Sequence, residues 1–197
     1  MAVTVEDVKK LRTMTGAGMM DVKNTLEETN GDLQKAAALL RERGVAKAAK
    51  KADREASEGF VGSYIHHNGK IATLVELNCE TDFVARTEQF QALAKNIAIH
   101  IAMANPLVKT RDEVSADMVQ AEREVLTKQA KDEGKPDNVV EKMVEGRLSK
   151  FYAETALLEQ PYIKDDKKTV EELLKEAVAT LGENIQIGSF ARIAIGE

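Results

Sequence analysis

The sequence predicts an α+β fold: a helical N-terminal domain, then a small three-stranded antiparallel sheet packed with helices and a helical hairpin. Three observations predict it. Apolar side chains recur at helical spacing in three short segments before residue 45. From residue 58 the period changes to two, around an Asn68-Gly69 pair. A second alternating run lies near the C-terminus and can supply a third strand. The expected division is a three-helix domain over 1–44, a basic connecting helix over 45–57 and an α+β core over 58–197, with the hairpin at 115–156.

In the first helix, residues 5–14, Thr4 is a suitable N-cap and Val5, Val8 and Leu11 mark one face. Thr15-Gly16-Ala17-Gly18 breaks the pattern. A second helix follows over 19–29, with Val22 and Leu26 inward. Asn30-Gly31 is a turn that favours positive φ, and Asp32 caps a third helix. Leu33, Ala36, Ala37 and Leu40 face inward there, and Gly44 is the expected stop. Residues 45–57 are helix-prone without an apolar stripe. Six basic residues against two acidic ones fall within 41–54, which reads as a solvated connecting helix or as a basic contact surface.

The Asn68-Gly69 turn pairs His67 with Lys70. That register puts Phe60, Tyr64, Ile71, Val75, Leu77 and Cys79 on one sheet face, the core face. The other face carries Val61, Ile65, Ala72 and Leu74 with Ser63 and Glu76, too apolar for open solvent. A covering element, a partner or a second subunit is expected there. Residues 82–104 read as one long helix whose stripe includes Phe90, Leu93, Ala94, Ile97 and Ile101. Asn105-Pro106 ends it. Residues 115–133, with Met118, Ala121, Val125 and Leu126 as contacts, and 137–156, with Val140, Met143, Val144, Leu148 and Phe151, form the hairpin around Gly134-Lys135-Pro136. Residues 160–167 read as a loop. Thr169 and Glu172 form a capping box for a helix over 170–181, which Gly182 stops. Residues 184–195 are the last strand, alternating through Ile185, Ile187, Ala191, Ile193 and Ile195.

Composition excludes several classes. The 197 residues are 43% hydrophobic, which suits a buried core, and carry a net charge of -5. The charge is +2 over residues 1–57 and -7 over 58–197. Aromatic side chains make up 4%, with no Trp, so a base-stacking nucleic-acid platform is not expected. No apolar run approaches a membrane span, and the start MAVTVEDVKKLR lacks a secretory signal. With one cysteine, these features read as a cytoplasmic protein without an internal disulfide.

No catalytic constellation is expected. Cys79, His66, His67 and His100 are the whole Cys and His inventory. Cys79 ends a strand on the apolar face, where small buried cysteines are common, and a thiol enzyme would need it exposed and activated. His66 and His67 point to opposite faces of a strand, so no metal site is expected from them. Gly16-Ala17-Gly18 lacks the Lys-Ser/Thr of a phosphate loop. No cofactor is called for, and binding without covalent chemistry is the expectation.

Two segments are unusual. Met19 and Met20 are about 100° apart on a helix and cannot both face one small core, so one is expected outside as a flexible contact. In Asn78–Arg86, a strand ends and a helix begins, with Thr81 or Asp82 as N-cap. Phe83 lies seven residues before Phe90, which places it on the core stripe. Its place in the first turn also lets it project as a rigid probe for another protein.

These segments carry a resemblance. Thr15–Lys23 (TGAGMMDVK) and Leu77–Arg86 (LNCETDFVAR) resemble the two signature segments of the elongation factor Ts family. The similarity continues through His100–Met103, Glu145–Leu148 and Gln160–Asp166, so it covers essentially the whole chain, as a short bacterial-type form. The resemblance implies a guanine-nucleotide exchange factor that promotes GDP release from elongation factor Tu. It implies a ubiquitin-associated-like N-terminal domain on the nucleotide-binding domain of Tu, and a core on a Tu β-domain. Asp82 and Phe83, flanked by Thr81 and Val84, match the segment that reaches Tu near its Mg²⁺ site. Arg12, Met19, Met20 and His66 match other family contact positions.

Longer family members carry a second core subdomain and a further helical module. With one core sheet here, a homodimer through Val61, Ile65 and Leu74 is the expected substitute. The alternative reading is a non-catalytic adaptor whose three-helix domain binds a ubiquitin-like or nascent-chain partner. Partners other than protein, whether nucleic acid or membrane, are not expected.

Overall fold

Three helices open the chain, and the computed structural model describes residues 3–134 and 136–196. Lys135, in the expected hairpin break, lies outside them. Helices α1 (Val5–Thr15), α2 (Met19–Glu28) and α3 (Leu33–Ala49) precede strands β1 (Glu58–Ile65) and β2 (Ile71–Cys79). A short α4 (Asp82–Ala85), a long α5 (Glu88–Ala104), then α6 (Ala116–Asp132) and α7 (Asp137–Thr155) follow. Strands β3 (Pro161–Tyr162) and β4 (Asp165–Thr169), helix α8 (Val170–Leu181) and strand β5 (Gln186–Ala194) complete the order. The three-stranded sheet runs β1-β2-β5. β3 and β4 form a separate antiparallel pair where a loop was expected, with Pro161 opposite Thr169.

The chain resolves into two units. The first runs to Phe60 and adds Glu76–Gln91 and Glu172–Gly188. Its three N-terminal helices enclose Val8, Leu11, Val22, Leu26, Ala36 and Leu40, with Leu33 and Ala37 against them. Thr4 and Asp7 form a reciprocal capping box. Gly16 ends α1 at φ 66°, Asn30 and Gly31 both take positive φ, and Asp32 caps α3 through the Gln34 and Lys35 amides. Val5, expected inward, is exposed, because Val8 and Leu11 already fill the narrow α1 face.

Gly44 does not stop α3. It is buried inside the helix, where a Cβ would come within 3.1 Å of the Ala179 Cβ on α8, so its smallness serves close helix approach. The basic stretch is engaged within the same unit. Arg41 pairs with Glu172 and Glu176 of α8, Arg43 reaches Thr25 and Glu28, Lys47 pairs with Asp21, and Lys51 donates to the Gly182 carbonyl.

The second unit comprises Val61–Val75, Ala92–Glu171 and the chain from Ser189. Within it one side of the sheet meets α5. A Cβ on Gly62 would lie 2.7 Å from the Ala94 carbonyl, Thr73 Oγ1 donates to the Ala98 carbonyl, and Arg192 Nε donates to the Ala102 carbonyl. Successive strand residues alternate sides, so Val61, Ile65, Leu74, Ile193 and Ile195 point away from α5.

The expected core face of the hairpin holds at Val75, Leu77 and Cys79, whereas Phe60 is exposed. The register is the expected one, since the His66 amide donates to the Ile71 carbonyl. The turn is not the tight two-residue type. Gly69 donates to the His66 carbonyl, and Asn68 Oδ1 accepts from the Lys70 amide, so the turn starts one residue earlier. His67 therefore lies outside the strand, and its ring sits 4.2 Å from that of His66 instead of on the opposite face.

The α6–α7 hairpin forms, with Leu126, Ala130, Val140, Val144 and Leu148 in its seam and Val119 and Tyr152 against them. Met118 and Val125, expected as contacts, are exposed, because Val119 and Leu126 take the seam positions one residue later.

Candidate partner-binding site

The signature segment sits at the end of β2. Thr81 is the N-cap of α4, in extended conformation, and its Oγ1 accepts from the Val84 amide at 3.4 Å. The chain does not continue as one helix from 82. It breaks at Arg86-Thr87, and Thr87 Oγ1 donates to the Val84 carbonyl and accepts from the Phe90 amide, which starts α5 anew. The break resets the helical phase. Phe90 is fully buried, while Phe83 is 80% exposed. The core placement that its seven-residue spacing from Phe90 suggested is overturned for that reason.

Phe83 therefore stands on a short, capped turn. Asp82 pairs with Arg86 at 2.9 Å, and Val84 is half-buried. Cys79 is buried, its thiol donates to the Thr81 carbonyl, and burial pushes its pKa up, which suits a structural thiol and not a nucleophile.

Below the turn lies Glu183, which the sequence reading did not single out. Its carboxylate accepts from the Glu80 amide at 3.1 Å, the Thr81 amide at 3.0 Å and the Thr81 hydroxyl at 2.6 Å. Asn184 follows, with its amide donating to Glu80 Oε1 and its side chain to the Ala52 and Arg54 carbonyls. A Gly-Glu-Asn run after a helix is an ordinary helix end in sequence, so only the fold reveals these contacts.

The glycine segment presents the methionines. Gly18 caps α2 without a side chain, and Met19 and Met20 both occupy its first turn. Both are exposed, one more than the sequence required, and Val22 and Leu26 fill the inner face as expected. Arg12 is exposed near the end of α1. In the second unit, His66 is half-buried with its Nδ1 2.9 Å from the Tyr64 hydroxyl. Also there, the side of the sheet turned from α5 exposes Val61, Ile65, Leu74, Ile193 and Ile195, each by more than half. Ile193 and Ile195 were not assigned to this face from sequence. The buried parity changes along β5, from Ile187 buried to Ile193 exposed, a one-residue phase change that strict alternation does not reveal.

Among the described residues no group of three or more His, Cys, Asp or Glu could hold a metal, and no helix is long and apolar enough to cross a membrane.

Comparison with known proteins adds the identity of the group. The family model described as Elongation factor TS matches residues 2–197. The elongation factor Ts of Solidesulfovibrio magneticus is 56% identical over 196 residues, covering 100% of this chain and 98% of that relative. That of Fervidobacterium nodosum is 53% identical over 197 residues, covering 100% of both chains. That of Acetivibrio thermocellus is 57% identical over 195 residues, covering 99% of this chain and 91% of that relative. The match spans core and N-terminal helices alike, which leaves the adaptor reading without support. The chain belongs to the elongation factor Ts family, the guanine-nucleotide exchange factors of translation elongation.

Proposed function

We propose that the chain acts on elongation factor Tu by binding alone, with Phe83 as its principal probe. The observation that carries this reading is the exposed phenyl on a capped turn, in the segment that resembles the family's contact sequence. A large apolar side chain held out of its own core gains roughly 1.5–3 kcal/mol when buried elsewhere. Asp82 accompanies it toward the Mg²⁺ region of Tu, with Thr81 and Val84 shaping the turn. Arg12, Met19 and Met20 belong to the three-helix domain (1–44), which takes the nucleotide-binding domain of Tu. The core (58–197), including His66, takes a β-domain, and the stretch that follows α3, residues 50–57, connects the two.

The energetics suit exchange without covalent chemistry. A GTPase holds GDP through backbone amides, a Lys and Mg²⁺. Whatever the exchange factor removes from GDP affinity, GDP removes from its own affinity. A thousandfold weakening of GDP requires about 4 kcal/mol of differential binding. An inserted Phe with a few neighbouring contacts is of that scale.

The open side of the sheet, Val61, Ile65 and Leu74 extended by Ile193 and Ile195, is proposed as a homodimer face, with action in the cytoplasm. Its contiguous aliphatic character favours a second copy of the same surface. The exchange reading is tested by loading Tu with labelled GDP and adding the chain at known ratios. Accelerated release at substoichiometric amounts is expected; release at the spontaneous rate would contradict it.

A further inference from the structure

We infer that Glu183 is a positioning residue for exchange: its carboxylate fixes Thr81 and thereby holds Phe83 in its projecting pose. The inference rests on the reading of Phe83 as the probe.

Helix α4 has four residues, too few to be stable by its own hydrogen bonds. Something outside it must fix the turn. Gly182, at φ 83°, ends α8 and delivers Glu183 beneath the end of β2. One carboxylate then takes two backbone amides and one hydroxyl, at 3.0–3.1 and 2.6 Å. Such charge-assisted bonds are shorter and stronger than neutral ones.

The hydroxyl bond has a second effect. A Thr hydroxyl has one proton and two lone pairs. Giving the proton to Glu183 fixes the rotor and leaves a lone pair for the Val84 amide, the bond that caps α4. From the other side the Cys79 thiol donates to the Thr81 carbonyl. Thr81 is thus held at its amide, its carbonyl and its side chain. Asn184 adds bonds to Glu80 and to the carbonyls of Ala52 and Arg54, tying the turn to the segment that follows α3.

A turn ordered before binding does not lose that freedom during binding, so affinity for the exchange complex rises without any new contact. Glu183 acts through Thr81 and Phe83, which sets what a test must read.

The experiment measures stimulated release of labelled GDP from Tu, with melting temperature, for Glu183→Ala, Glu183→Gln, Phe83→Ala and the Glu183→Ala/Phe83→Ala double variant. Glu183→Ala is expected to slow release severalfold, and by no more than Phe83→Ala does, because it acts through that side chain. Glu183→Gln keeps an acceptor for the two amides and should recover most of the rate. In the Phe83→Ala background, Glu183→Ala should cause no further slowing, while its melting penalty stays the same. Equal slowing in both backgrounds would overturn the inference, because a general structural defect multiplies independently of Phe83. Unchanged release in Glu183→Ala would overturn it too. Should that variant not fold, Glu183→Asp, which withdraws the carboxylate by one methylene, carries the same cycle and predictions. If Phe83→Ala alone leaves release unchanged, the reading of the probe itself fails, an outcome separate from failure at Glu183.

Discussion

His100 Nε2 lies 2.9 Å from Gln160 Oε1 in the buried interior of the second unit. The other ring nitrogen, Nδ1, accepts from the Ile163 amide at 3.3 Å. An amide oxygen can only accept and a backbone N–H can only donate, so the bonds select the neutral ring protonated at Nε2. Burial lowers the His100 pKa from the usual 6.5, and Gln160 opposes this only in part. Protonation would set one N–H against another at Ile163. The folded pKa lies below the unfolded one, so the stabilisation is complete above 6.5 and is lost as pH falls toward the folded value. The melting temperature should be flat over about pH 7–8 and decline below about 6.5. His100→Asn should melt lower at pH 8 but show a shallower decline in that window. The lowered carboxylates of Asp7 and Asp32 act only below their usual 3.8, in a separate range. Parallel profiles for the two proteins would contradict the assignment.

Gly62 separates the sheet from α5. Its added Cβ would sit 2.7 Å from backbone atoms of Ala94, which cannot rotate away. Gly62→Ala should therefore cost about 1–3 kcal/mol by overpacking, or roughly 3–10 °C for a chain of this size. Gly69→Ala meets no neighbour but takes a positive φ, so a loss of similar size there would come from backbone strain alone. Thermal melts of both variants check the contrast. An unchanged midpoint for Gly62→Ala would refute the close approach.

Met19 and Met20 are exposed, whereas Leu26 is fully buried in the same helix. The double substitution to Ala should leave melting within about 0.5 kcal/mol of the parent while weakening exchange. Leu26→Ala should instead cost about 2–5 kcal/mol. Melts paired with release assays separate the two roles. A large melting loss in the methionine variant would place those side chains in the core after all.

The aliphatic side of the sheet predicts self-association. Ile65→Lys combined with Leu74→Lys puts charge into the proposed interface without touching the side that faces α5. Sedimentation at micromolar concentration should show a dimer for the parent and a monomer for the variant. A monomeric parent would rule out the dimer.

Much of this was legible in the sequence because short-range chemistry decided it. Asn30-Gly31 marked a turn, Asp32 a cap, and the alternation from residue 58 a hairpin in its correct register. The errors arose where tertiary contacts outweigh local rules. Gly44 looked like a helix stop, but its missing side chain admits α8. Phe83 looked like core by its spacing, but the Thr87 cap restarts the helix and changes the phase. Met118 and Val125 lost the seam to neighbours one position later, a difference that periodicity does not resolve. Glu183 was invisible because its partners lie more than 100 positions away.

On the proposed reading, one exposed phenyl on a capped turn carries much of the exchange activity. The most direct measurement is the rate of labelled GDP release from Tu with Phe83→Ala set against the parent chain, at equal concentrations. A melting temperature like that of the parent is expected, since Phe83 has no place in the core, together with release slowed severalfold or more. Full stimulated release by a folded Phe83→Ala protein would contradict it.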